Sequence, residues 1–228
     1  MITISQLNIS YSNQKRVIDT LQLNMKESCI HGIVGLNGAG KTTLLNAIFG
    51  LIKPDSGEIL FRNTPLKKIQ MSYLTTESFF YSNITGREYL MLFKNEDFKL
   101  EKWNELFLLP LDQIIDEYST GMKKKLALMG ILKQNKPVMI LDEPFNGLDL
   151  ETCRIIRSIL LKMKENGKTI VITSHIIETL TNLCDFIHYL EKGKIKSSQT
   201  KENFEAFERA IFEELEKKNE ALIDELTK

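Results

Sequence analysis

The residues best suited to chemistry crowd into one short stretch, Gly35-Leu36-Asn37-Gly38-Ala39-Gly40-Lys41-Thr42-Thr43. Gly-x4-Gly-Lys-Thr is a phosphate-binding pattern when a strand precedes it and a helix follows. Both conditions are met. Residues 29–34 read as a buried strand, and residues 44–49 as a helix that stops at Gly50 with Pro54 beyond. Gly38 and Gly40 let backbone N–H groups close around phosphate oxygens, and the helix N-terminus adds a favourable dipole. Lys41 sets a positive charge against the β- and γ-phosphates, Thr42 offers a hydroxyl to Mg²⁺, and Thr43 can bond a phosphate oxygen. The loop therefore reads as a nucleoside triphosphate site.

A second constellation lies downstream, where the apolar run Val138-Met139-Ile140-Leu141 ends in Asp142-Glu143. A strand ending in two acids places both carboxylates at the carboxyl edge of a sheet, beside the phosphate loop. Asp142 would hold Mg²⁺ through water, and Glu143 would polarise the attacking water.

Three further segments narrow the class. Tyr118-Ser119-Thr120-Gly121-Met122-Lys123-Lys124-Lys125-Leu126 resembles the signature motif of ATP-binding cassette proteins, in a variant of its Leu-Ser-Gly-Gly-Gln form. Pro144-Phe145-Asn146-Gly147-Leu148-Asp149 resembles the D-loop of that family, and Ile172-Thr173-Ser174-His175 resembles its switch-histidine segment. Tyr11 stands where the adenine-stacking aromatic is expected. The motifs occur in the family's order, and the resemblance runs from about residue 3 to residue 197.

The resemblance implies a mechanism. Two cassettes pair head to tail, and Mg-ATP lies between the loop Gly35–Thr43 of one chain, with Asn37 and Ala39 in its wall, and Ser119, Thr120, Gly121 and Met122 of the other. Lys41, Glu143 and His175 are the expected catalytic groups, Thr42 and Asp142 the metal-holding pair, and Asp149 a shaper of the contact between cassettes. Of Lys123–Lys125, at least two are expected on a solvated face. The partners implied are a second copy of the chain and separate membrane subunits, placing the protein at the cytoplasmic face of the membrane.

The sequence departs from the family pattern in two places. Where most cassettes carry glutamine after a Tyr-Leu-Pro-like stretch, Ser72-Tyr73-Leu74-Thr75-Thr76-Glu77-Ser78 puts Thr76 at that position and Glu77 one place later. Threonine is shorter and cannot reach as far as glutamine, so either the coupling is weaker here or Glu77 takes over. In the signature, Tyr118, Thr120 and Met122 are replacements, while the phosphate-facing Ser119 and Gly121 remain. Ser-x-Gly-Met forms resemble single-cassette subunits of two-component exporters of peptides, drugs and lipids. Phe79-Phe80-Tyr81 comes directly after Ser78, where such cassettes receive their membrane subunit, and aromatic anchors suit the core of an interface.

Positioning these groups calls for an α/β fold with strand and helix alternating around a mostly parallel sheet. The expected organisation is a single cassette, residues 1–228: a P-loop core with an N-terminal antiparallel β-subdomain (1–75 and 136–200), an inserted helical block (76–135), and a C-terminal amphipathic helix (201–228). Strands are expected near 57–61, 138–141 and 169–173, helices near 151–165 and 176–183, and a β-ribbon over 186–195. Phe204, Phe207, Ile211, Leu215, Leu222 and Leu226 recur at near-helical spacing in the last segment.

Composition sets outer bounds. The 228 residues are 43% hydrophobic and 26% charged, enough to bury a core without disulfides. Thirty basic residues balance thirty acidic ones, so net charge draws the chain neither to nucleic acid nor to anionic lipid, and no nucleic-acid partner is expected. Cys29, Cys153 and Cys184 suit a reducing compartment and lack metal-ligand spacing. No apolar run is long enough to span a membrane, and the N-terminus has no secretory pattern. Two other readings stay open at this level: a soluble cassette ATPase acting on nucleic acid or the ribosome, and a regulatory module that binds ATP but barely hydrolyses it.

Overall fold

The computed structural model describes residues 1–11 and 16–213. In chain order its strands are β1 (Ile2–Ser10), β2 (Arg16–Met25), β3 (Ile30–Val34), β4 (Ser56–Phe61), β5 (Thr64–Pro65), β6 (Met71–Leu74), β7 (Val138–Asp142), β8 (Thr169–Ser174), β9 (Phe186–Glu191) and β10 (Lys194–Thr200). Its helices are α1 (Lys41–Phe49), α2 (Gly86–Met91), α3 (Leu100–Phe107), α4 (Thr120–Gln134), α5 (Leu150–Glu165), α6 (Ile177–Thr181) and α7 (residues 204–213). Among the described residues, β10-β9-β3-β8-β7-β6 form one sheet, parallel except for the β9–β10 hairpin. Strands β2-β1-β4-β5 form a separate antiparallel sheet.

Period-two alternation along the central strands divides the interior into two cores, because successive side chains leave opposite faces of a sheet. Met139 and Leu141 of β7, with Ile170 and Ile172 of β8, enter one core with α4, α5 and α6. Val138, Ile140 and Val171 enter the other, where α1 (Leu44, Leu45, Ile48) and the antiparallel sheet close over them. The loose alternation of the first two strands has a local cause. Gln6 and Thr20 both adopt left-handed φ (50° each), the register of β1 on β2 shifts between Ile4 and Leu7, and Asn8 Oδ1 accepts the Thr20 N–H at 2.9 Å. These irregularities return Leu7, Ile9, Leu21 and Leu23 to the core face.

Several boundaries differ from expectation. Strand β6 lies in a stretch that carries no strand assignment by sequence, and it completes the parallel sheet against β7. The block over 76–135 is only partly helical: residues 75–84 are irregular, α3 stops at Phe107, and Leu108 takes φ 52° as its cap. The final ribbon continues to Thr200, which pushes the start of α7 to residue 204. Phe204 and Phe207 are buried and Ile211 packs against the same core, whereas Leu215, Leu222 and Leu226 lie outside the described residues.

Parallel strands bring their carboxyl ends to one edge of the sheet. Residues following β3, β6, β7 and β8 therefore meet there: Gly35, Thr76, Glu143 and His175.

Below that edge, a buried polar chain crosses three strands. His31 on β3 and His188 on β9 are 1% and 2% exposed, with His31 Nδ1 3.1 Å from His188 Nε2. His31 Nε2 lies 2.9 Å from the Lys26 carbonyl, and His188 Nδ1 lies 2.8 Å from Ser198 Oγ on β10. The carbonyl can only accept, so His31 Nε2 carries hydrogen and its Nδ1, in the neutral ring, accepts from His188 Nε2. Ser198 must then donate to His188 Nδ1. Both rings are neutral in this scheme, and burial lowers His31 to about 4 and, with His31 alongside, His188 to about 3.

An unfolded histidine titrates near 6.5, so this contribution to stability is complete above that pH. It is lost as pH falls toward 4 and 3, by about 2 kcal/mol per ring at pH 5. Urea unfolding at pH 7.5 and pH 5 should therefore show a His188→Asn variant losing about 2 kcal/mol less than the parent between the two conditions. Equal losses would contradict the neutral pair.

Candidate active site

The phosphate loop leaves β3 through Gly35, where a Cβ would lie 2.3 Å from the Leu190 carbonyl oxygen of neighbouring β9. Only glycine fits that approach. Gly40 caps α1 at φ 106°, and no side chain bonds the helix's first N–H groups, which leaves them to an anion. Lys41 is buried, and its ammonium folds back on the loop, donating to the carbonyls of Gly35 (2.6 Å) and Leu36 (3.4 Å). Burial pushes the Lys41 pKa down, against the pull of the Glu143 and Asp142 carboxylates.

Asp142 ends β7 with 1% exposure. Its Oδ2 accepts from Thr42 Oγ1 and Thr76 Oγ1, both at 2.8 Å, and its Oδ1 accepts from Thr173 Oγ1 at 2.5 Å. Glu143 follows in a left-handed conformation, φ 50°, which few non-glycine residues adopt. Its N–H donates to Thr173 Oγ1 at 3.1 Å, and its Oε1 accepts from His175 Nδ1 at 3.0 Å. Because the carboxylate only accepts, Nδ1 carries the hydrogen, and this bond fixes the ring's orientation.

A cleft of about 570 Å³ opens over this edge, with Gly38, Lys41, Thr42, Asp142, Glu143 and His175 in its walls. Asn37, Gly40, Thr43 and Thr76 complete most of the lining. Of the two residues competing for the glutamine position, Thr76 is brought to the site. Glu77 is exposed and engages through its backbone carbonyl, which accepts from Thr75 Oγ1 at 2.6 Å. Ala39 is buried behind the loop, and half-exposed Tyr11 sits beside α1 with its Oη 3.2 Å from Thr43 Oγ1.

The signature residues do not line this cleft. Ser119 caps α4 by accepting the Met122 N–H at 3.2 Å, with Thr120 and Gly121 in the helix's first turn. Asp149 caps α5, accepting from the N–H and Oγ1 of Thr152 at 2.8 and 2.7 Å, and the backbone bond holds its carboxyl below the usual range. The aromatic trio divides. Phe79 and Tyr81 are 78% and 59% exposed and stack edge to face at 5.4 Å, while Phe80 turns inward onto Tyr89 at 4.9 Å.

Sequence reasoning gave no separate role to Thr173, Asn146 or Val17, which lies in the cleft wall. For Thr173 a signal existed: a hydroxyl in a fully buried strand, in register with Asp142, needs a partner. Val17 carries none, since its place depends on how the antiparallel sheet docks.

A parallel sheet with its phosphate loop, paired acids and histidine on one edge, interrupted by a helical block, defines a P-loop ATPase of the cassette kind. The chain belongs to the ABC transporter family, whose sequence model matches residues 18–146. It is 32% identical to the bacitracin transport ATP-binding protein BcrA of Bacillus licheniformis, over 98% of this chain and 74% of that one. It is 31% identical to the lantibiotic transport ATP-binding protein SrtF of Streptococcus pyogenes, over 86% and 89% of the two chains. Among solved structures, an ATP-binding subunit of an ABC transporter superposes with a TM-score of 0.82 at 26% identity, covering 88% of this chain and 90% of that one. The protein is thus an ATP-hydrolysing subunit of an ABC transporter.

Thr173 offers a direct check on the hydrogen bonding around Asp142. Thr173→Val preserves shape but strands a buried carboxylate oxygen and the Glu143 N–H together. It should lower nucleotide-free stability by about 2–3 kcal/mol, read from the urea midpoint. A loss within about 0.5 kcal/mol would contradict the assigned bonds.

Proposed function

We propose that two copies of this chain close head to tail on Mg-ATP, each supplying Ser119 and Gly121 to the nucleotide held by the other. The cycle of closing and hydrolytic reopening drives export through separate membrane subunits. The observation that carries this reading is the division of the machinery. One cleft holds the loop, the metal-holding pair and the water-activating carboxylate, while Ser119–Met122 cap a different helix away from that cleft. A second copy supplies what the first lacks.

Thr42 and Asp142 fit Mg²⁺: hard oxygen donors 2.8 Å apart, with no group of three or more His, Cys, Asp or Glu among the described residues to form an all-protein cage. When bound, Mg²⁺ supplies charge neutralisation at the phosphates. Lys41 exchanges the loop carbonyls for phosphate oxygens. Glu143 orients the attacking water, and His175, held by Glu143, turns its Nε2 edge to the γ-phosphate. Tyr11 stacks on adenine, Asp149 shapes the contact between copies, and Thr76 stands in for the glutamine by anchoring Asp142 rather than reaching the metal.

Phe79 and Tyr81 are the surface we assign to the membrane subunit. No helix among the described residues is long and apolar enough to cross a membrane, and we assign attachment at the cytoplasmic face to that contact. The names of BcrA and SrtF support a cargo of the bacitracin or lantibiotic kind.

The test is the hydrolysis rate against protein concentration with Mg²⁺. Specific activity should rise with concentration and fall about 100-fold or more in Glu143→Gln. A concentration-independent rate from a protein of monomeric mass would overturn the shared site.

A further inference from the structure

Lysines near the start of a surface helix ordinarily extend into water, and Lys123 and Lys125 keep partial exposure. Lys124 does not. It is 7% exposed, and its Nζ donates to the backbone carbonyl of Glu143 at 2.8 Å and to that of Thr76 at 3.4 Å. Burial lowers its pKa, while the Asp142 and Glu143 carboxylates oppose that fall. An ammonium desolvated to this degree costs free energy unless its surroundings return it. Here they are the two loops that shape the cleft.

The first of these loops is strained. Glu143 holds φ 50°, and its pose is fixed at three points: its N–H by Thr173, its carboxylate by His175, and its carbonyl by Lys124, with the Asn146 N–H adding a longer bond of 3.2 Å to that same oxygen. Two of those anchors come from β8 and the turn after it. The Lys124 anchor comes from α4, which Ser119 caps and whose first turn carries Gly121. The second loop carries Thr76, whose hydroxyl bonds Asp142.

We infer that Lys124 is a positioning residue that ties the signature helix to Glu143 and Thr76 of its own chain. Displacement of α4 when Ser119 engages the partner's nucleotide is then felt at the chain's own carboxylate. This rests on the reading of Glu143 as the group that orients water.

The experiment compares parent, Lys124→Met, Lys124→Gln and Glu143→Gln proteins at saturating Mg-ATP, with hydrolysis expressed per nucleotide-binding site counted by titration of a fluorescent ATP analogue. Lys124→Met keeps length and loses both donor and charge. Its kcat should fall about tenfold or more, because small misplacements of catalytic groups carry losses of that size. Its analogue affinity should stay within about threefold of the parent. Lys124→Gln retains an N–H donor and should recover at least about threefold over the methionine variant. A purely structural role would reduce the number of competent sites but leave kcat per site unchanged, without rescue by glutamine.

Unchanged kcat per site in Lys124→Met, alongside an inactive Glu143→Gln, would overturn the role of Lys124 and leave the site assignment standing. Hydrolysis by Glu143→Gln equal to the parent would overturn both. If Lys124→Met does not fold, Lys124→Ala, which also lacks the donor but leaves room for water, carries the test: a kcat per site reduced about threefold or more supports the coupling, and an unchanged one overturns it.

Discussion

The site depends on one buried carboxyl group held still by its hydrogen bonds. Asp142 is 1% exposed and accepts three threonine hydroxyls, from Thr42 on α1, Thr76 after β6 and Thr173 on β8. Burying a lone carboxylate costs several kcal/mol. Hydrogen bonds to a charged group return about 1.5–3 kcal/mol each, so three of them can balance that cost. The arrangement also joins the phosphate-loop helix, the loop beside the helical block and the histidine-bearing strand at a single side chain. Thr76 acquires a physical meaning from this. A threonine is too short to do what a glutamine does by reach, but it suffices as a third donor to Asp142.

Around that carboxylate, neighbouring groups take opposite burdens. Lys41 donates to its own loop's carbonyls, the bonds we propose that phosphate oxygens replace. Glu143 is held in an uncommon backbone conformation by contacts from separate elements. Strain of this kind persists only where the surroundings over-determine it, and it concentrates at functional sites. Helix α4 faces both ways: Ser119 at its exposed end is offered outward, and Lys124, little more than a turn later, is turned inward.

Much of this was legible in the sequence because its causes are local. The Gly35–Thr43 loop, the apolar strand ending in Asp142-Glu143 and the ribbon over 186–195 follow from glycine freedom and period-two burial. What was not legible depends on long-range contact. Met71-Ser72-Tyr73-Leu74 is too short to separate from a loop until β7 pairs with it. His31 and His188 are 157 positions apart and become a pair only when β3 and β9 adjoin. Choosing Thr76 over Glu77 required the path of the chain leaving β6, and one lysine of three was buried because α4 crosses above the Glu143 carbonyl. The exposed placement of Phe79 and Tyr81, against the inward turn of Phe80, likewise follows from packing and not from residue type.

The reading of this cleft as half of a shared site is tested most directly by the solution mass of the Glu143→Gln protein with and without Mg-ATP. Retaining the nucleotide, that protein should pass from monomer to dimer when Mg-ATP is added. A Ser119→Arg change in the same background should keep it monomeric while it still binds nucleotide through its own loop. A Glu143→Gln protein that stays monomeric with nucleotide bound, or a dimer that forms equally well with Ser119→Arg, would contradict the shared site.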